Sequence, residues 1–470
     1  MHLKNVLTFI LFLILLYSSS NLKGQTLLFV LTNNSGAFGA GTIIGLDTNG
    51  NNFSVKPLSP NVNGYNPDGS FILYKDLLYA MTSGGGGTGT LFCFNPNSGK
   101  DSVLMNFNNY NGYNASGNLI EYNNNLYGMT QNGGEHNSGV LFCLNPCTGE
   151  DRVLLNFNDS NGFQPMGSLL VYNNLLYGMC SGGGSYYRGI LFSYNPVTGR
   201  EKTVLTFNSN NGASPFGSLT VCNGLLYGMT SSGGKNNMGV LFSYNPLSNK
   251  DSVLVNFDRI NGSSPYGDLT VMGPFLFGMT ETGGRNDLGT LFRFNLQTGK
   301  DSVMMSFDSV KGIYPDGDLT LYNGSLYGMT SSGGCFNDGV VFKFNPSTAA
   351  FVKLKDLSPE DGSNPVGNLT VYTLSKSTGL AASIHSESSD SIKPLMYPNP
   401  MQNYTTIKLP EDGAYTISVL YLSGRLLKEV HFKGSSYQLN KNEMIPGSYF
   451  ISIRDVNEKN VYVNKLVIEY

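Results

Sequence analysis

"LYGMTSSGGKNNMGVLFSYNP", Leu226 to Pro246, decides the fold because the chain writes it repeatedly. "LFGMTETGGRNDLGTLFRFNL" stands at Leu276 to Leu296 and "LYGMTSSGGCFNDGVVFKFNP" at Leu326 to Pro346. Registered on the aromatic, seven copies begin at Phe29, Tyr79, Tyr127, Tyr177, Tyr227, Phe277 and Tyr327, spaced 50, 48, 50, 50, 50 and 50 residues apart. A fixed period of this size marks a solenoid, a propeller or an array.

The content of one unit selects among them. From Gly217 the runs "GSLTVCN", "LLYGMTSS", "GVLFSYN" and "DSVLVNF" are short, alternating, and rich in β-branched and aromatic residues. Asn-Gly, Gly-Gly and Asn-Pro breakers bound them, which is the pattern of strands joined by hairpins. No convincing helical period occurs between Thr26 and Tyr372, so each unit reads as a four-stranded antiparallel meander, one propeller blade. The first unit begins at its second strand, "TLLFVLT" (Thr26–Thr32). The missing first strand stands at the far end as "GNLTVYT" (Gly367–Thr373). A strand borrowed from the C-terminus would leave no free sheet edge at the seam. The expectation is an all-β, closed, seven-bladed propeller over residues 25–373.

Composition narrows the function classes. The 470 residues carry only 13% charged side chains and a net charge of -3, so no basic field exists for nucleic acid. "MHLKNVLTFILFLILLYSSSNLKG" has the charged start and short apolar run of a signal peptide, expected over residues 1–24 with cleavage before Gln25. No Cys stands directly after the apolar run, so no N-terminal lipid anchor is expected. No other segment is long and apolar enough to span a bilayer, so the mature chain is expected to be exported, without a transmembrane segment. The six Cys residues fall at scattered template positions, and only Cys143 and Cys147 bracket a turn closely enough to suggest a local pair.

The repeat resembles two known classes. Its double Gly, following aromatic and 50-residue period are similar to kelch repeats, whose fold is a propeller. "YGMTSSGG…GVLFSYNP…SVLVNF" more closely resembles the bacterial Gloeobacter/Verrucomicrobia tandem repeat, over about three quarters of the chain. That resemblance implies a fold and an extracellular setting, and no reaction.

After the repeats, residues 374–393 ("LSKSTGLAASIHSESSDSIK") are Ser-rich and without strand pattern, as in a linker. Residues 394–470 show about seven short alternating runs, enough for a small Ig-like β-sandwich. They resemble the type A C-terminal sorting domain of the type IX secretion system of Bacteroidetes. The motifs that carry this are Tyr397, Pro398, Asn399 and Pro400 in "YPNP", Gly424 and Arg425 in "YLSGRLLKEV", Gly447 and Tyr449 in "PGSYFISI", and Lys465 in "NKLVIEY". The resemblance implies passage through the type IX machinery and display on the cell surface or release.

Candidate chemistry is sparse. Only His136 lies in the propeller repeats, in a variable loop, so neither a Ser-His-Asp arrangement nor a zinc pair is expected. "GGGGTG" at Gly84–Gly89 matches a dinucleotide fingerprint formally, but a strand follows it rather than a helix. No metal or cofactor is expected. Topology places the loop entering strand one and the loop between strands two and three on one face. Variation concentrates there, at Glu135, His136, Tyr186, Tyr187, Arg188, Lys235, Arg285, Asp287, Phe336 and Asp338, and at Phe163, Tyr266 and Tyr314 in the entering loops. Loops on a rigid scaffold carry binding residues, although solvent loops also drift freely. One position recurs at the opening of each first strand: Ser70, Asn118, Ser168, Ser218, Asp268, Asp318 and Asn368. With strand one innermost, these line the channel mouth. Asp268 and Asp318, in adjacent blades, could hold a cation or act as an acid/base pair, while Ser, Asn and Asp also suit turns that bond their own backbone. "DSV" at Asp101, Asp251 and Asp301 and "DSI" at Asp390 resemble a Bacteroidetes O-glycosylation signal, with Ser391 in the linker the fair candidate.

The expected function is a secreted, non-catalytic propeller binding a glycan or surface protein through its loop face. The alternatives are a carboxylate-dependent glycoside hydrolase or lyase at the channel mouth, and a purely structural surface protein.

Overall fold

The computed structural model describes residues 26–51, 53–373, 395–397, 403–421, 426–441, 444, 447–455 and 460–468. These form two compact units, each described by itself. The signal peptide, the linker with Ser391, and Pro398, Asn399, Pro400, Gly424 and Arg425 lie outside the described residues.

Among the described residues of the first unit, the strands make seven separate antiparallel sheets. The fifth is typical: Thr220–Cys222, Leu225–Thr230, Val240–Asn245 and Lys250–Asn256, in that spatial order. The first sheet joins the chain ends. Ser363–Thr373 lies antiparallel against Thr26–Asn34, with Thr26 opposite Thr373 and Phe29 opposite Thr370. The edge that strand Thr26–Asn34 would otherwise expose is thereby paired.

The phrase has a packing reason at each letter. Strand three sends its Phe inward, and Phe242 meets Phe207 of the preceding blade edge-to-face at 5.2 Å between centroids. Phe107–Phe142, Phe157–Phe192, Phe257–Phe292 and Phe307–Phe342 repeat that contact at 5.2–5.5 Å, an arrangement favoured by ring quadrupoles. The Gly of "YGM" is the counterpart: a Cβ on Gly228 would stand 2.8 Å from the Phe242 ring. The Thr that follows bonds across the loop, for the Val240 N–H donates to Thr230 Oγ1 and that hydroxyl donates to the Ser232 carbonyl.

In five blades strand one is shorter than its alternating pattern suggests, while Tyr113–Tyr122 and Ser363–Thr373 run on in the other two. The run Gly217–Asn223 yields a strand only at Thr220–Cys222, because Gly217 and Ser218 face the adjoining blade. The Asp residues of "DSV" also have structural work: Asn63, Asn211 and Asn261, in the loops leading into their blades, donate to Asp101, Asp251 and Asp301 at 2.6–3.1 Å. The six cysteines form no disulfide, so the suggested Cys143–Cys147 pair is not made.

Among the described residues the second unit has five strands in one antiparallel sheet, fewer than the seven alternating runs. Tyr404–Tyr421 and Leu426–Asn440 are long strands whose pairing breaks register between Lys408 and Gly413, so each reads as two runs. Tyr449, in strand Gly447–Asp455, is buried with Ile417, Val419 and Ile451. Lys465 falls opposite Phe450 on strand Asn460–Ile468, and Tyr397 ends strand Leu395–Tyr397.

Candidate functional site at the propeller axis

Seven glycines meet around the axis. A Cβ on Gly69 would lie 2.2 Å from the Gly117 carbonyl oxygen, on Gly167 2.2 Å from that of Gly217, on Gly267 2.2 Å from that of Gly317, and on Gly317 2.1 Å from that of Gly367. Gly117 and Gly217 contact Gly167 and Gly267 similarly, and Gly367 reaches Ser70. Real Cβ atoms do not tolerate such distances, so glycine alone allows seven blades to converge this closely.

The residue after each glycine closes a hydrogen-bonded ring. Ser70 N–H donates to Asn118 Oδ1, Asn118 N–H to Ser168 Oγ, Ser168 N–H to Ser218 Oγ, and Ser218 N–H to Asp268 Oδ1. Asp268 N–H donates to Asp318 Oδ1 at 2.6 Å, Asp318 N–H to the Gly367 carbonyl at 3.0 Å, and Asn368 N–H to Ser70 Oγ. These side chains therefore accept from the neighbouring blade's backbone rather than from their own turn. Burial pushes the Asp318 carboxyl well above the usual carboxylate range, and the adjacent Asp268 charge adds to the shift. Burial also raises Asp268, against the Ser218 N–H that holds it down.

The ring is a waist. Below it opens a funnel lined by aliphatic strand-one residues such as Ile72, Leu119, Leu219 and Leu319. Above it, on the variable-loop face, lies a cup of about 320 Å³, near the lower end of the ~300–1,000 Å³ typical of ligand sites. The residue before each axial glycine faces this cup: Asp68, Ser116, Met166, Phe216, Tyr266, Asp316 and Val366. Phe216 and Tyr266 form a ring pair with centroids 5.0 Å apart. Glu281 joins them from a strand-two end, where Ser83, Ser181, Ser231 and Ser331 in other blades each donate to a backbone carbonyl.

The cup carries unmet negative charge. Burial and the neighbouring Glu281 raise Asp316 to about 7, offset only in part by the nearby Ser331 hydroxyl. Burial raises Glu281 and Asp68 as well. Burial raises Tyr266, and the charges of Glu281 and Asp316 add to the shift. No Lys, Arg or His is among the residues lining the cup.

The loop-tip residues singled out from sequence are placed otherwise. Glu135, His136, Tyr186, Tyr187, Arg188, Lys235, Arg285, Asp287 and Phe336 are exposed at the tips of separate blades, and none lines the cup. Asp338 is half-buried, and Asp287 is paired with Arg259. Of the sequence candidates, Asn118, Ser168, Ser218, Asp268, Asp318 and Tyr266 reach the axial site. Asp68, Phe216, Glu281 and Asp316 went unread. Their signal was variation at the position before a constant Gly, and a single Glu in a column of Ser.

Comparison with known proteins settles the repeat. The Gloeobacter/Verrucomicrobia repeat model matches residues 17–192 and 173–389. The chain belongs to that repeat family. A secretion system C-terminal sorting domain matches residues 395–469, which marks the repeat protein for export to the cell surface or secretion. No curated protein matches the chain. A Lactobacillus plantarum protein of known structure is 13% identical, covers 75% of this chain and 99% of its own, and has a TM-score of 0.52. A putative 6-phosphogluconolactonase from Bacteroides uniformis is 14% identical, with 75% and 100% coverage and a TM-score of 0.50. These likenesses speak to the fold alone. PorZ, a surface component of the type IX secretion system of Porphyromonas gingivalis, is 13% identical over 93% of this chain and 75% of its own, with a TM-score of 0.33, too low to define a shared fold. No helix among the described residues is long and apolar enough to cross a membrane.

Proposed function

We propose that this exported repeat protein is a non-catalytic glycan-binding module that takes its ligand in the axial cup on the loop face. The observation that carries this reading is the Phe216–Tyr266 pair set beside the carboxyls of Asp316 and Glu281. Aromatic faces stack on the C–H faces of sugar rings, and carboxylates accept sugar hydroxyls, so one wall supplies area and the other orientation. The size of the cup suits one or two sugar units rather than a long chain. Asp268 and Asp318 support the non-catalytic reading, since both carboxyls hold neighbouring backbone in the waist.

The test is a saccharide panel titrated against the mature propeller by calorimetry. Phe216→Ala and Tyr266→Ala should each weaken binding about tenfold while leaving the melting temperature within a few degrees. Unchanged affinity in both variants would remove the cup from the reading.

One observation favours a second reading, hydrolysis. Asp316 and Glu281 are neighbouring carboxyls, with Asp316 raised to about 7, and a glycosidase needs one carboxyl protonated and one ionised. Release of reducing ends from a bound oligosaccharide, abolished in Asp316→Asn with binding retained, would replace binding by turnover.

A further inference from the structure

The cup departs from the rest of the propeller in chemistry as well as shape. Three carboxyls, Asp68, Glu281 and Asp316, enter the cup with no basic residue lining it. Asp316 adds an independent observation: its Oδ1 is buried and has no hydrogen-bond partner. A buried carboxyl oxygen without a donor is costly, and such groups in native structures point to a missing partner. Tyr266 lines the same cup as Glu281 and Asp316 and pairs with Phe216. An aromatic face beside two carboxyls is what attracts an organic cation, because ring quadrupole and anionic charge act in the same direction.

We propose that the cup selects a sugar bearing a protonated amine, its ammonium seated between Glu281 and Asp316 and its ring against Phe216 and Tyr266. This rests on the glycan-binding reading and names the class within it. The ammonium supplies the donors that Asp316 Oδ1 lacks, and Asp68, two entering loops away, deepens the negative potential. Neutral sugars lack the charge. Simple cations lack the face that stacks.

The experiment compares three oligosaccharides with the same β-1,4 backbone: glucosamine trimer, N-acetylglucosamine trimer and glucose trimer. Each is titrated calorimetrically into the full mature chain at pH 6.5, with trilysine as a fourth ligand. The glucosamine trimer should bind about tenfold or more tighter than the other two trimers. Asp316→Asn and Glu281→Gln should each erase most of that preference, and Phe216→Ala should weaken all three sugars alike. Circular dichroism melts of the variants confirm that they fold, and Asp308→Asn, at a carboxyl that does not line the cup, serves as the charge-removing control. Equal binding of the three trimers overturns the amine inference while upholding a glycan site. Trilysine binding as tightly as the amino sugar overturns it in favour of charge recognition alone. Binding of none overturns it too, and a blank wider saccharide panel would then remove the glycan reading itself.

Discussion

The Asp268 N–H donates to Asp318 Oδ1 across a blade boundary at 2.6 Å. Two positions 50 residues apart in sequence thus become consecutive members of one closed ring. Asn118 plays the same part for Ser70 without a charge, so what the ring requires is an acceptor oxygen. Asp318→Asn should keep the acceptor and relieve the burial of charge, leaving the protein as stable as before or more so at pH 7.5. Asp318→Ala strands the Asp268 N–H and should cost about 1–3 kcal/mol. Thermal melts of the two variants check this, and equal destabilisation by both would mean that the charge itself matters.

Glycine at the waist is a second requirement with a sharper penalty. A Cβ on Gly267 would meet the Gly317 carbonyl oxygen at 2.2 Å, and backbone there cannot swing aside as a side chain can. Gly267→Ala should therefore cost about 3 kcal/mol or more. Gly149→Ala is the comparison, since nothing lies within 4 Å of its added Cβ and only its φ of +76° opposes the change. That variant should lose about 1–2 kcal/mol. Denaturant midpoints for the pair would separate axial crowding from backbone preference.

Much of the architecture was legible in the repeat because each letter has a local cause. The Phe of strand three, the Gly it covers and the Thr that bonds across the loop recur wherever the same contact recurs. The cup was less legible. Phe216, Asp316 and Asp68 stand one residue before an axial Gly, a place that reads as a spacer until seven entering loops converge on one axis. Glu281 is unremarkable beside Thr280 and Thr282 in the chain, and becomes informative only against the Ser that fills its position in neighbouring blades. The loop tips drew attention through their variety, but topology scatters them around the rim. Variation marked both places, and only convergence in space separates them.

Cys180 tests the Thr of the phrase directly. Thr82, Thr130, Thr230, Thr280 and Thr330 each accept the N–H of the first residue of strand three. Cys180 occupies that position in the fourth blade, opposite Ile190, and burial pushes its thiol well above the ordinary range, so it packs as an inert apolar group. Cys180→Thr should restore the missing acceptor and stabilise the protein by about 0.5–1.5 kcal/mol. A fall in the melting temperature would show that the Ile190 side chain has already taken the space the hydroxyl needs.

Stability should also depend on pH in a direction set by the cup. The Asp316 carboxyl titrates near 7 when folded and near 3.8 when unfolded. Asp318, Asp68 and Glu281 are raised in the same sense. Between those values the folded state holds more protons than the unfolded state, so stability declines as pH rises through the window and levels off above it. For Asp316 alone the decline from pH 4 to pH 7.5 should be on the order of a few kcal/mol. Asp287, Asp308 and Asp356 are lowered by their Arg or Lys partners, so their contribution falls away only in stronger acid, below the window. Melting temperatures between pH 4.5 and 7.5 should therefore fall in the wild type. The slope should be shallower in Asp316→Asn, which cannot ionise. A parallel slope in that variant would place the titration elsewhere. Saturating glucosamine trimer offers a second readout. It should raise the melting temperature most near pH 7, where the Asp316 carboxyl begins to ionise and a sugar ammonium still carries charge.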